Sequence, residues 1–143
     1  MSADSAEARK ARGAFFTPPL LSKFMAQWCL RDSKERVLEP SCGEAEFIEA
    51  AAIRLRELGA EGSLGAQLSG IEIHADSATT AEKRLADQDV DADISVANFF
   101  DVSAVRQFDA VIGNPPYIRY QDFSGEDRLK AKQAALAHGV RFD

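Results

Sequence analysis

No stretch of this 143-residue chain approaches the ~20 consecutive apolar residues that a membrane-spanning helix needs, although 45% of its residues are hydrophobic. The polar start, MSADSAEARKARG, also lacks the apolar segment of a secretory signal. Cysteine is scarce: Cys29 and Cys42 stand alone with no second pair, so neither a disulfide framework nor a zinc site is indicated, no metal is expected, and a reduced, cytoplasmic chain is the default. Positive charge is short as well. Seventeen Lys and Arg face 23 Asp and Glu, a net charge of −6, which argues against a nucleic-acid footprint on these residues alone. The deficit is uneven, because residues 1 to 36 are basic on balance (Arg9, Lys10, Arg12, Lys23, Arg31, Lys34 and Arg36 against Asp4, Glu7, Asp32 and Glu35). No internal repeat or low-complexity tract is present. The length is that of one ordinary domain, with enough apolar residues for a core.

What is there alternates. Residues 1 to 12 read as a polar, Ala-rich lead-in. TPPLLSKFMAQWCLRD begins like a helix, with Thr17 able to cap, Pro18 in the first turn, and Leu20, Leu21, Phe24, Met25 and Trp28 as an apolar stripe; Trp28 reads as core. ERVLEP is a short strand ended by Pro40, and EAEFIEAAAIRLRELG a helix ended by Gly59. LSGIEIH, ADISVANFF and FDAVIG supply three more strands, the last apolar enough to be covered on both faces. ADSATTAEKRLADQ is a helix between the second and third strands, and SGEDRLKAKQAALAHG a final helix with Ser124 as its cap and Gly139 as its stop. This order predicts an α/β fold: an open, mostly parallel sheet with helices on both faces, joined by right-handed crossovers.

Ligands in such sheets bind beyond the carboxyl ends of the strands, and here those ends read EPSCGEAEF, EIH, ANFFD and GNPPY. The first turn, Glu39-Pro40-Ser41-Cys42-Gly43, lacks the G-x-G-x-x-G pattern, so a pyrophosphate cradle and a nicotinamide dehydrogenase are disfavoured. An acid at that place suits a cationic ligand; the plainer alternative is a strand-to-helix turn capped by Ser41. Glu72 closes the second strand, where a carboxylate can accept from both hydroxyls of a ribose or can simply be solvated. His74 reads as surface. Asn98 and Phe99 offer an amide and a ring to a base, while Phe99 and Phe100 are equally plausible core residues, and at least one of them reads as core. Together these turns suit an adenosine-bearing ligand with a positive centre and no phosphate.

The fourth turn stops its strand with Pro115 and Pro116, which remove two donors and fix two φ angles. That stiffness suits preorganisation. The Asn114 side-chain oxygen and the Pro115 carbonyl can accept from the two N–H bonds of a nucleobase amine and so localise a lone pair otherwise delocalised into the ring. Tyr117 offers a face on which an extruded base can stack.

GNPPY, with FFTPP at residues 15 to 19 and LEPSCGEAEF at 38 to 47 before it, resembles the N6-adenine DNA methyltransferases in which the cofactor motif precedes the catalytic one, including modification and fused restriction-modification enzymes. The resemblance covers roughly residues 13 to 120. It implies a Rossmann-like methyltransferase fold with S-adenosylmethionine as cofactor. Thr17 and the turn Glu39, Pro40, Ser41, Cys42, Gly43 would hold its methionine part, Glu72 with neighbouring Ile73 its ribose, and Asn98 with Phe99 its adenine. Asn114, Pro115, Pro116 and Tyr117 would form the catalytic site, with Pro115 also bordering the cofactor. Two departures stand out: the family usually has Asp where Asn98 stands, leaving Asp101 as an alternative partner, and Glu44 and Ala45 occupy positions where a second glycine is common.

The same resemblance implies about three further strands and a target-recognition domain, which would make residues 13 to 143 the amino-terminal part of a methyltransferase domain, incomplete at its carboxyl end and inactive alone. The partners then expected are double-stranded DNA for the complete protein, no membrane, and self-association or a complementary chain along the exposed edge of the fourth strand. A protein-glutamine or RNA methyltransferase sharing the NPPY motif, and a non-catalytic S-adenosylmethionine-binding or interaction module, are the alternatives.

Overall fold

The computed structural model describes residues 17–103, 108–118, 121 and 123–141; the lead-in over residues 1 to 12 and the two phenylalanines of FFTPP lie outside them. Among the described residues four helices and four strands follow in order: α1 (Pro19–Cys29), β1 (Val37–Glu39), α2 (Glu46–Glu57), β2 (Leu68–Glu72), α3 (Ala75–Asp87), β3 (Asp93–Val96), β4 (Ala110–Val111) and α4 (Gly125–Ala137). A single 3₁₀ turn, Phe99–Asp101, follows β3. The strands form one parallel sheet in the order β3-β2-β1-β4. Val37 stands at its centre, level with Leu68 on one side and Ala110 on the other.

This order has a functional consequence. The chain steps from β1 to β2 to β3, then returns to the opposite flank of β1 to lay down β4. The direction of winding therefore reverses between β1 and β4, and a crevice at the carboxyl ends of two such strands is where open α/β sheets bind ligands.

One apolar cluster joins the sheet to the first three helices: Val37, Leu68, Ala110 and Ile112 from the strands and their ends, Phe47, Ile48, Ala51 and Leu55 from α2, Ala81 and Leu85 from α3, and Ala26 of α1 with Leu30 just after it. Burial of a side chain the size of Phe47 or Leu55 contributes about 1.5–3 kcal/mol. These contacts put α1, α2 and α3 on a common face. Gly70 sits mid-strand because nothing larger fits: a Cβ there would stand 2.8 Å from Ile94 Cδ1 and 2.9 Å from Cys42 Sγ. Among the described residues no helix is long and apolar enough to cross a membrane.

Several expectations need correction. Trp28 is not core but 71% exposed, and Leu20, Leu21 and Phe24 are exposed beside it. The fully buried residues on the inward face of α1 are small, Ser22 and Ala26, which lets it lie close against α2, while Met25 of the expected stripe and Cys29 pack partly buried beside them. Thr17 is not the cap of α1; Pro18 occupies that position, and Thr17 is buried and engaged elsewhere. Phe99 and Phe100 are both exposed and pack edge to face on each other with ring centroids 5.7 Å apart. The strand read over 92 to 100 stops at Val96, because the chain then turns to bring the Asn98 side chain onto the Phe100 N–H. The strand read over 108 to 113 pairs only at Ala110 and Val111, and it is not covered on both faces: Ala110 and Ile112 are buried while Val111 between them is 61% exposed. His74 is exposed, and Gly59 and Gly139 do sit in left-handed conformations just past the ends of their helices.

Candidate functional site

Glu39 ends β1 with its side chain directed inward, 2% exposed, and its Oε2 accepts from the N–H of Ile48 in the first turn of α2 at 3.2 Å. The carboxylate thus fills one of the orphan donors of that helix end. Burial pushes its pKa well above the ordinary range; the nearby charges of Glu46 and Glu72 push the same way, while the Ile48 bond and Arg84 pull it down. The result is a nearly sealed acid in an environment that would gain from a cation.

From Pro40 onward the turn stays attached to β2. Cys42 N–H donates to the Ile71 carbonyl at 2.8 Å, and Gly43 N–H donates to Glu72 Oε2 at 2.8 Å. Glu72 is 7% exposed, and its other oxygen accepts from the His74 N–H at 2.8 Å. A carboxylate oxygen has capacity for a second bond, so both backbone links leave acceptor sites on Glu72. Cys42 is buried, and burial, reinforced by Glu39 and Glu72, pushes its thiol up to about 12, leaving it protonated packing against Gly70. Ile73 is exposed beside Glu72.

Two backbone angles shape this turn. Gly43 has φ +52° and Ala45 φ +63°, both left-handed. Glycine adopts that conformation freely; alanine pays roughly 1–2 kcal/mol for it. Ala45 is fully buried, and its N–H closes the turn onto the Cys42 carbonyl at 2.7 Å.

The Ser41 hydroxyl is buried with no hydrogen-bond partner among the described residues. It is not the α2 cap, a position taken by Ala45. A buried hydroxyl left unmatched costs about 1–3 kcal/mol, and a polar ligand group would complete it.

Gly113 brings the fourth turn against the first. A Cβ there would stand 3.5 Å from Glu39 Cγ and 3.7 Å from Pro40 Cδ, and the approach is held because Ile112 N–H donates to the Leu38 carbonyl at 3.0 Å. Asn114 Nδ2 donates to Thr17 Oγ1 at 3.2 Å, a link across 97 residues, which turns the amide oxygen to the other side. Thr17 is thereby tied to the catalytic candidate. Pro115, Pro116 and Tyr117 then run through solvent, Tyr117 at 70% exposure.

At β3 the Asn98 amide is engaged at both ends: Oδ1 accepts from Phe100 N–H at 3.0 Å, and Nδ2 donates to Asp127 Oδ1 of α4 at 3.1 Å. Asp101 pairs with Lys130 of α4 at 2.8 Å.

The structure thus brings Thr17, Glu39 to Gly43, Glu72, Gly113 and Asn114 together at the winding reversal, with Asn98 and Phe99 at the end of β3, two strands from β1. Sequence reading missed a second layer. Arg84 of α3 donates to Glu46 at 2.5 Å and Glu49 at 2.7 Å on α2, and Ser22 of α1 donates to Glu46 at 3.0 Å. This network pins the first turn of α2 under Glu39; its only trace in the sequence is the spacing of Glu46 and Glu49 on one helical face. Two shallow concavities, lined by Asp32, Lys34, Glu35 and Asp109 and by Ala86, Asp89, Val90 and Asp91, lie at the amino ends of the strands, away from this chemistry. Among the described residues no group of three or more His, Cys, Asp or Glu is placed to hold a metal.

A parallel sheet with this reversal and acids at the ends of β1 and β2 defines a Rossmann-like fold of the S-adenosylmethionine-dependent methyltransferase type. The N-6 DNA Methylase family model matches residues 1–140, and the chain belongs to that family. It is 28% identical over 134 residues to the modification methylase CviBIII of Paramecium bursaria Chlorella virus NC1A, covering 91% of this chain and 33% of that protein. It is 26% identical over 133 residues to the type II methyltransferase M.AccI of Acinetobacter calcoaceticus, covering 92% and 23%. Among solved structures it is similar to a predicted N6-adenine-specific DNA methylase from Listeria monocytogenes, with a TM-score of 0.61 at 16% identity over 92% of this chain and 44% of that one. The chain therefore spans about a third or less of the two curated relatives.

Proposed function

We propose that this chain is the cofactor-binding and catalytic-loop part of a methyltransferase that transfers a methyl group from S-adenosylmethionine to the N6 amine of adenine in double-stranded DNA. The observation that carries the reading is the meeting of the turn Glu39 to Gly43 with Asn114 across Gly113, where the winding reverses. The residues fit the cofactor: among the described residues the buried Ser41 hydroxyl has no hydrogen-bond partner, and the buried Glu39 carboxylate is held above its ordinary pKa by burial despite the field of Arg84, so a cationic group beside it would be favoured. S-adenosylmethionine, when bound, supplies an electrophilic methyl group on a sulfonium centre. Glu39 would neutralise its positive charge, Ser41 and the backbone from Pro40 to Gly43 would take polar groups of the methionine end, and Glu72 with Ile73 would take the ribose. Phe99 would border the adenine, with Asn98 or Asp101 as its polar neighbour.

On the target side the Asn114 oxygen and the Pro115 carbonyl would accept from the two N–H bonds of the adenine amine. Thr17 holds the opposite end of that amide, so its oxygen is aimed before any base arrives. Pro116 keeps the loop rigid, and Tyr117 supplies the stacking face. The edge of β4 and the exposed Val111 make the 143-residue chain alone prone to associate with itself or a complementary chain; absence of activity on DNA for this chain by itself, and a cytoplasmic setting, are further parts of the proposal. Light scattering and a methyl-transfer assay read those two properties separately.

The test of substrate class is product analysis. The chain is grafted in place of the matching segment of a full-length family member, and DNA treated with that chimera is digested to nucleosides. N6-methyladenine is expected; N4-methylcytosine, or a methyl group on a protein glutamine instead, would contradict the reading.

A further inference from the structure

Helix α4 is attached to the molecule in an unusual way. Among the described residues of the helix Ala131 alone is buried, so little apolar packing holds it, and it rests on the 3₁₀ turn after β3. Polar links join it to that turn: Asn98 Nδ2 to Asp127 Oδ1 at 3.1 Å, and Lys130 Nζ to Asp101 Oδ2 at 2.8 Å. A second acid of α4, Glu126, holds Lys130 at 3.2 Å and directs it along the helix. The loop bearing Asn114 to Tyr117 thus has two anchors: at its start, Ile112 on the Leu38 carbonyl and Asn114 on Thr17; at its far end, α4 on the β3 turn.

We infer that Asp127 and Lys130 are positioning residues: they latch α4 onto the Asn98–Asp101 turn and so couple the cofactor's adenosine side to the placement of the catalytic loop. Asn98 and Asp127 form a matched pair. The amide at 98 accepts from Phe100 N–H and donates to the carboxylate at 127, whereas an ionised acid at 98 has no donor and would set two carboxylates against each other. The functional half of this inference rests on the cofactor reading above, and the latch itself does not.

The test uses the full 143-residue chain with Asn98→Asp, Asp127→Asn and their combination. Amide hydrogen exchange is followed over residues 98–101 and 125–137, and S-adenosylmethionine affinity by calorimetry. Asn98→Asp should speed exchange in both segments and weaken cofactor binding by about 2- to 5-fold each, the range of an exposed polar or ionic pair, and adding Asp127→Asn should restore both. The charge swap Asp101→Lys with Lys130→Asp should likewise restore what either single change loses. Unchanged exchange in Asn98→Asp, or no restoration in the double variant, would overturn the latch. Restored exchange without restored affinity would overturn the coupling to the cofactor. Should the unsubstituted chain bind no S-adenosylmethionine, the cofactor reading and the coupling fall together, while the exchange result still decides the latch.

Discussion

At the ends of β1 and β2, Glu39 and Glu72 are nearly sealed from solvent and bonded to backbone N–H groups, and the turn between them is tied strand to strand. Directly beyond Gly113, the segment Pro115 to Tyr117 stands in solvent, held by its prolines and by anchors at its two ends. The first region is rigid because it is buried, and its polar atoms have little freedom to be anywhere else. The second is stiffened at Pro115 and Pro116 by covalent restriction of φ, which does not depend on burial. The proposed site, with an extruded base on one side and a charged cofactor on the other, is served by that division. The cofactor side is fixed in place by burial while Glu39 and Ser41 keep unmet polar demands for a ligand to meet; the target side keeps its faces open.

If the division is right, changes on the target side should affect transfer and changes on the cofactor side should affect binding. The largest effect is expected for Asn114→Ala in the full-length chimera, a loss of about 10² to 10³ in transfer rate with cofactor affinity almost unchanged, as when one preorganised polar group is removed. Parallel losses in both quantities, read from single-turnover rates and calorimetry, would blur the two halves into one. Thr17→Val should be smaller. It removes the hydroxyl that orients Asn114 and should cost about 0.5–1.5 kcal/mol in transfer, with Thr17→Ser restoring most of the rate. A Thr17 that acts chiefly on the cofactor would instead weaken S-adenosylmethionine binding.

The smallest effect belongs to Ala45→Gly. Relief of the left-handed strain, roughly 1–2 kcal/mol, is offset by loss of a buried methyl and by greater freedom of the unfolded chain, about 1 kcal/mol each or less. Denaturant unfolding should show a change within about 1 kcal/mol of zero. A large loss would mean that the Ala45 methyl is essential packing under the turn.

Much of the fold was readable from residue order, because hydrophobic runs ended by Pro40, Gly59 and Gly139 mark real element ends and because alternation of strand and helix leaves few topologies. The strand-end turns were readable for the same reason. What failed has physical causes. Trp28 and its neighbours form a stripe at helical spacing, but helical spacing says only that a face exists, and the fully buried residues of α1 are the small ones, Ser22 and Ala26. Phe99 and Phe100 are apolar, yet the 3₁₀ turn that Asn98 nucleates keeps them outside the sheet. The Thr17–Asn114 bond and the Arg84 network join elements far apart in the chain, and no local pattern encodes such distances. The left-handed Ala45 was visible only as a missing glycine.

The central claim is that Glu39 is a buried acid awaiting a cation, and titration of S-adenosylmethionine into the 143-residue chain and its Glu39→Gln variant across pH tests it most directly. Burial raises the folded-state pKa of Glu39 above its unfolded value, so its stabilising contribution is fully present below the unfolded value and is lost as pH rises through the folded one. Within that window the ligand-free chain should lose stability with rising pH and Glu39→Gln should lose less. Cofactor affinity should move the opposite way, rising with pH as Glu39 ionises to meet the sulfonium, and Glu39→Gln should bind with flat pH dependence and about 1.5–3 kcal/mol less affinity. Equal affinity in the two proteins, with the same pH profile, would contradict the account.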